Sequence, residues 1–192
     1  MTTKKEDRRV KFSKIFLKNS LIDLLETKSI SKITIKEICE TADINRATFY
    51  AHYSDQYALL KSIEEDYIEN ILKDIFQQEN SKENTPLLTQ SILVYIYENA
   101  KMSKILLSDR ADLHFQKRIM SIVHDSLLSQ LMHASKQDLD RAQYISSYVI
   151  TGCIGIIQKW FERGLTESPK EIAELISFLT LNSLDSIDRK LM

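Results

Sequence analysis

The chain has 192 residues, 43% hydrophobic and 28% charged, with a net charge of -1, enough for one large or two small globular domains. It has three glycines and two prolines, and Gly152, Gly155 and Gly164 all fall late in the chain. This excludes an upstream Gly-rich phosphate loop, dinucleotide fingerprint or nucleophile elbow, starves a β-sandwich or barrel of turns, and leaves an all-α protein. Cys39 and Cys153 lie far apart and form neither a disulfide framework nor a CxxC pair. The charged start MTTKKEDRRVKF has no apolar signal-peptide region, so the expected location is cytoplasmic. The apolar stretch Ile145 to Ile157 is shorter than the roughly 20 residues of a membrane span and reads as a buried helix. Charge is uneven: Met1 to Ser54 carries eleven Lys/Arg against seven acids. A basic N-terminal quarter on an acidic body suits a module facing a polyanion, although such a charge cluster is more often just a solvated face.

The first helix is expected over Arg8 to Thr27, where Phe12, Ile15, Phe16, Ile22 and Leu25 recur at helical spacing and Leu17, Leu21 and Leu24 widen the stripe. Thr34-Ile-Lys-Glu37 is a capping box that opens a short helix ending near Ala42. Asn45 caps a second short helix, Arg46 to Tyr53, and Ser54 and Asp55 cap a long one reaching Gln78. The polar run Asn80 to Asn84 reads as a loop, and Thr85-Pro86 restarts a helix as N-cap and N1. Helices are then expected over Pro86 to Ala100, Ser103 to Leu107, Leu113 to Ala134 and Asp138 to Gly164. Ser168-Pro169-Lys170-Glu171 opens the last, to about Asp188.

Two short helices joined by a tight turn, after a helix with a basic face, have the form of a helix-turn-helix DNA reader. The run Thr34 to Cys39, followed by Ala42-Asp43-Ile44-Asn45-Arg46-Ala47-Thr48-Phe49-Tyr50-Ala51-His52-Tyr53 and on to Leu60, resembles the signature of the TetR/AcrR family of transcriptional regulators. The resemblance covers about 50 residues, from Arg8 to Leu60. It implies a helix-turn-helix domain over residues 1–54 and a helical ligand-binding and dimerisation domain over 55–192.

The expected DNA-binding residues are Thr34, Lys36, Asn45, Arg46, Ala47, Thr48, Tyr50 and His52. Thr34 and Lys36 point to the groove edge. Arg46 has the planar fork that suits guanine O6 and N7, and Ala47 and Thr48 suit a thymine methyl. Tyr50 and His52 fall where the family contacts phosphate, though His52 reads equally as an idle surface residue. Phe49 and Tyr53 read as core, and Cys39 as packing. Two positions depart from the family pattern: Asp43 stands where Gly is usual in the turn, and Gln56 where a Lys commonly begins the fourth helix. The arm of Lys4, Lys5, Arg8, Arg9 and Lys11 offers compensating charge.

In the body, the Asp138 to Gly164 helix is apolar on nearly every face and carries Gly152 and Gly155 for close backbone approach. The final helix has its own stripe of Ile172, Leu175, Ile176, Leu179, Leu184 and Ile187. The resemblance implies that these two helices pair across a twofold axis, making a homodimer. Tyr67, Tyr95, Phe115, Arg118, Tyr144 and Tyr148 are the expected ligand-binding residues, although aromatic stripes also serve as plain core. His114, His124 and His133 are nine or ten residues apart, unlike a helical metal site, so neither metal nor cofactor is expected. No nucleophile, base and oxyanion group assemble, so an enzyme is not expected. The expected function is a cytoplasmic homodimeric repressor released from a palindromic double-stranded DNA operator by a small, largely apolar effector. The alternative, motivated by Asp43 and Gln56, is a co-regulator of the same fold with weakened DNA binding that acts through a protein partner.

Overall fold

Helices account for every regular element among the residues the computed structural model describes, which are 8–78, 85–108, 115, 118, 121 and 139–190. They are α1 (Arg8–Leu25), a 3-10 turn (Ile30–Lys32), α2 (Ile35–Ala42), α3 (Arg46–Tyr50), α4 (Gln56–Gln78), α5 (Thr85–Glu98), α6 (Ala100–Leu106), α7 (Leu139–Glu162) and α8 (Pro169–Lys190). The expected helix over Leu113 to Ala134, apart from Phe115, Arg118 and Ser121, lies outside the described residues. So do the Asn80 to Asn84 loop and the arm residues Lys4 and Lys5. No described helix is long and apolar enough to cross a membrane. The chain divides into two compact units, Met1–Asn70 with Ile105–Leu113, and Ile71–Lys104 with His114–Met192.

In the first unit, α1 packs on α2 and α2 on α3. The buried face of α1 is Leu17, Ser20, Leu21, Ile22 and Leu25. Phe12, Ile15 and Phe16, expected in that stripe, are exposed instead. Phe12 precedes Leu21 by nine residues, which at about 100° each places it on the opposite side of the helix. The helix also stops two residues short of Thr27. Glu26 and Thr27 N–H turn to the carbonyls three residues back, Asp23 and Leu24, at 3.3 and 3.2 Å, tightening the last turn. Lys18 ties α1 to α4, its ammonium donating to Asp66 Oδ2 at 2.6 Å and to the Ser62 carbonyl at 3.4 Å. Asp55 starts α4 by accepting from Ala58 N–H at 2.8 Å.

In the second unit, α8 packs along both α5 and α7. Asn99 sets the corner between α5 and α6, earlier than expected: its backbone and side-chain N–H groups both donate to the Tyr95 carbonyl, at 3.0 and 2.9 Å. Ser103, fully buried, donates to the Asn99 and Ile96 carbonyls, satisfying a hydroxyl that would otherwise carry a desolvation cost. Trp160 is buried, donates from its indole to the Glu167 carbonyl at 3.0 Å, and stacks on Tyr97 with ring centroids 5.9 Å apart. Cys153 on α7 is hydrogen-bonded to Thr180 on α8, and burial pushes its thiol pKa up.

Candidate nucleic-acid interface

The α2–α3 pair is built by three local devices. At the start of α2, Thr34 Oγ1 accepts from Glu37 N–H at 3.2 Å while Glu37 Oε2 accepts from Thr34 N–H at 2.9 Å, a complete capping box. Lys28 adds a third member by pairing with the same carboxylate. That hydrogen-bonded ammonium first, then the Thr34 backbone and hydroxyl, hold the Glu37 pKa down at about 2.

At the end of α2, Asp43 sits in the left-handed region at φ 53°, ψ 43°. Ile44 N–H reaches the Cys39 carbonyl at 3.0 Å and Asp43 N–H the Glu40 carbonyl at 3.4 Å, the paired bonds of a Schellman turn. The turn therefore forms with Asp in place of the expected Gly, since a short polar side chain tolerates this conformation better than a branched one. Asn45 then caps α3, its Oδ1 accepting from Thr48 N–H at 2.7 Å and from the Thr48 hydroxyl at 3.0 Å. The helix ends at Tyr50 rather than Tyr53, where His52 N–H tightens onto the Phe49 carbonyl at 3.0 Å.

The pair encloses an open groove of about 550 Å³ lined by Lys36, Cys39, Glu40, Asp43, Ile44, Asn45 and Arg46. The eight expected contact residues divide by what they still have to offer. Arg46 and Ala47 are exposed at the start of α3, and among the described residues Arg46 has no hydrogen bond or ion pair. Its whole guanidinium fork is available. Lys36 is exposed and loosely paired with Glu40 at 3.6 Å, a contact of little energetic weight at a surface. Tyr50 is 57% exposed, its ring held edge-on by the buried Phe49 at 5.7 Å. His52 is half-buried against the edge of Tyr53.

Thr34, Asn45 and the Thr48 hydroxyl are engaged in caps, so their polar atoms position the helices, and the Thr48 methyl is what remains for a base. Phe49 and Tyr53 are core, with the Tyr53 hydroxyl buried and unpartnered. Cys39 is buried, and this burial raises its thiol pKa despite the nearby Arg46 guanidinium. The sequence passes over Glu40 and marks Asp43 only as a turn residue. Glu40 and Asp43 share the groove with Lys36 and Arg46 and cancel their charge. The four-residue step from Lys36 to Glu40 is the legible signal for one of them.

The expected ligand residues differ in burial and fall in both compact units. Tyr67 is buried in the first unit. Phe115 is buried in the second, with the Arg118 guanidinium carbon 6.0 Å from its ring centroid, and Tyr95 is half-buried. Tyr144 and Tyr148 are 80% and 68% exposed. They lie one turn apart on the outer side of α7, while Ser146 and Ile150 turn inward. Among the described residues there is no cluster of His, Cys, Asp or Glu that could hold a metal ion.

A TetR-type family model described as "Transcriptional regulator C-terminal region" matches residues 83–182. The HTH-type transcriptional regulator YxbF of Bacillus subtilis (strain 168) is 22% identical over 165 residues, covering 83% of this chain. The chain spans only 42% of that relative's length. A TetR transcriptional regulator from Streptococcus agalactiae 2603V has a similar fold, with a TM-score of 0.70 at 23% identity over 91% of this chain and 97% of that one. FadR from Bacillus subtilis, solved in complex with stearoyl-CoA, matches with a TM-score of 0.62 at 11% identity over 86% and 96% of the two chains. A model match over more than half of the chain, joined to an all-helical fold with an N-terminal helix-turn-helix, places this protein in the TetR family of transcriptional regulators.

Proposed function

We propose that this regulator acts as a homodimeric repressor that leaves a palindromic operator when a small, largely apolar ligand binds. The observation that carries DNA reading is Arg46, exposed and without a partner among the described residues at the first position of a capped α3. Helix N-terminal residues are the ones a reader of this type presents to base edges. In this reading residues 1–54 are the DNA-binding domain and 55–192 the regulatory one.

Dimerisation is supported by the outer face of α7. Tyr144, Tyr148, Gly152 and Gly155 are all exposed there, and a Cβ at either glycine meets nothing within 4 Å. The chain's own packing therefore does not require glycine at these sites, whereas close approach of a second copy's helix does. Leu175, Phe178 and Leu179 of α8 extend the apolar surface.

Ligand control is supported by α4, whose residues fall in both compact units. A ligand that prefers one conformation of the second unit biases the first only by its differential affinity. Moving DNA occupancy from 99:1 to 1:99 takes about 5.5 kcal/mol of preference. The stearoyl-CoA in the FadR neighbour carries a long hydrocarbon chain on a polar, anionic head.

The test is selection of bound sequences from random DNA, combined with light scattering. A pseudo-palindrome with half-sites about 34 to 36 Å apart or somewhat more, and a mass of about twice 22.3 kDa, are expected. The second reading, a co-regulator acting through a protein partner, draws on Glu40 and Asp43 in the groove and on Gln56 at the start of α4. It predicts no enrichment even at low salt.

A further inference from the structure

We infer that Arg118 anchors an anionic head on the ligand of the regulatory domain, so that the effector is an amphiphile: an apolar body carrying a carboxylate or phosphate oxyanion. This rests on the effector reading above and specifies its chemistry. The Arg118 Nε atom is buried and has no hydrogen-bond partner. Among the described residues no carboxylate pairs with it, whereas Arg163 in the same unit is paired with Glu167 at 2.9 Å.

A guanidinium cannot shed its charge, so a buried N–H without an acceptor is a standing cost in the ligand-free chain. The Phe115 ring, 1% exposed and 6.0 Å from the guanidinium carbon, offers a cation a favourable face but no acceptor for that hydrogen. An oxyanion approaching along the edge shared by Nε and one terminal nitrogen supplies two parallel charge-assisted bonds and satisfies the orphaned donor. The apolar ring beside it favours a head attached to hydrocarbon over a free inorganic ion.

The experiment uses the full chain with dodecanoate, dodecyl phosphate and dodecanol, each below its micellar concentration, read by calorimetric affinity and by operator release. In the wild type, the two anionic probes are expected to bind at least tenfold more tightly than dodecanol and to release DNA. Arg118→Met, which keeps the apolar stem, is expected to lose at least tenfold for the anions while dodecanol binding holds, and Arg118→Lys to fall between. The ratio of dodecanoate to dodecyl phosphate affinity distinguishes the two heads. Equal binding of the anions and dodecanol by the wild type, or dodecanoate binding unchanged by Arg118→Met, overturns the anchor and leaves the effector reading standing. Failure of all three probes to bind overturns both. The wild-type ratio decides the question even where Arg118→Met does not fold.

Discussion

The α2–α3 and α7–α8 pairs end one helix and begin the next by the same means, yet turn different faces outward. Each first helix closes in a Schellman turn, through Asp43 at φ 53° in one and Gly164 at φ 75° in the other. Leu165 N–H reaches the Trp160 carbonyl at 3.0 Å and Gly164 N–H the Phe161 carbonyl at 3.1 Å, repeating the bonds of the α2 turn. Each second helix has a side-chain cap: Asn45 for α3, and for α8 a Ser168–Glu171 box with bonds of 2.7 and 3.3 Å. Beyond these turns the pairs diverge. The exposed residues of α2–α3 include Lys36, Glu40, Arg46 and Ala47, while α7–α8 exposes the aromatic and apolar Tyr144, Tyr148, Leu175 and Phe178 alongside charged residues such as Lys159 and Glu174. Caps and turns therefore shape both pairs, and the side chains left outside them decide what each can bind.

The largest expected effect comes from charging the apolar pair. Tyr148→Asp combined with Phe178→Asp forces carboxylates into the proposed dimer contact, where an uncompensated buried charge costs several kcal/mol. Sedimentation equilibrium should show a dissociation constant raised more than about 100-fold with helicity retained, because both residues are exposed in the single chain. A dimer of unchanged affinity places the contact elsewhere.

On the polar pair, Arg46→Ala is expected to weaken the selected operator by about 1 to 3 kcal/mol and random DNA by less. Equal losses on both make Arg46 a phosphate contact. The left-handed residues Asp43 and Gly164 should respond with opposite signs. Asp43→Gly relieves backbone strain and gains about 0.5 to 1 kcal/mol, whereas Gly164→Ala introduces it and loses about 1 to 2 kcal/mol. Nothing lies near a Cβ at Gly164, so its loss is a backbone effect, measurable as a melting shift of about 2 to 4 °C per kcal/mol.

The smallest effect separates the two capping boxes by pH. Glu37 falls from an ordinary value of 4.5 to about 2, so the folded state binds its proton more weakly than the unfolded state does. The stabilisation is complete above 4.5 and disappears as the pH drops towards 2. Glu171 is also lowered, by its backbone and side-chain bonds to Ser168, with no lysine among the causes. Glu37→Gln should therefore flatten the acid limb of the melting temperature against pH more than Glu171→Gln does. Identical slopes remove Lys28 from the account.

What was legible in the sequence is what depends on near neighbours. Thr34–Glu37, Asn45, Asp55 and Ser168–Glu171 all cap where their spacing says they do, because a cap needs only three or four residues of chain. The face of α1 is not legible in the sequence because apolar residues sit on both sides of the helix, and tertiary packing, on α2 among others, selects Leu17, Leu21 and Leu25 over Phe12 and Phe16. The α5–α6 corner was missed since Asn99 carries no Gly or Pro mark. The exposed place of Arg46 directly after the Asn45 cap is legible, and so is Glu40 one turn after Lys36, but that Asp43 and Glu40 share a groove with Arg46 depends on how α2 and α3 fold against each other. Tyr144 and Tyr148 look on paper like any other aromatic stripe, and only the packing of α7 shows that they face out.

Whether the α2–α3 surface reads DNA in a twofold pair is decided by selection of bound sequences from random DNA with this 192-residue chain. The expected product is a pseudo-palindrome whose half-sites lie about 34 to 36 Å apart or somewhat more, with the base preference relaxed in each half by Arg46→Ala. An unenriched pool at low salt, or a single asymmetric site indifferent to Arg46, contradicts it.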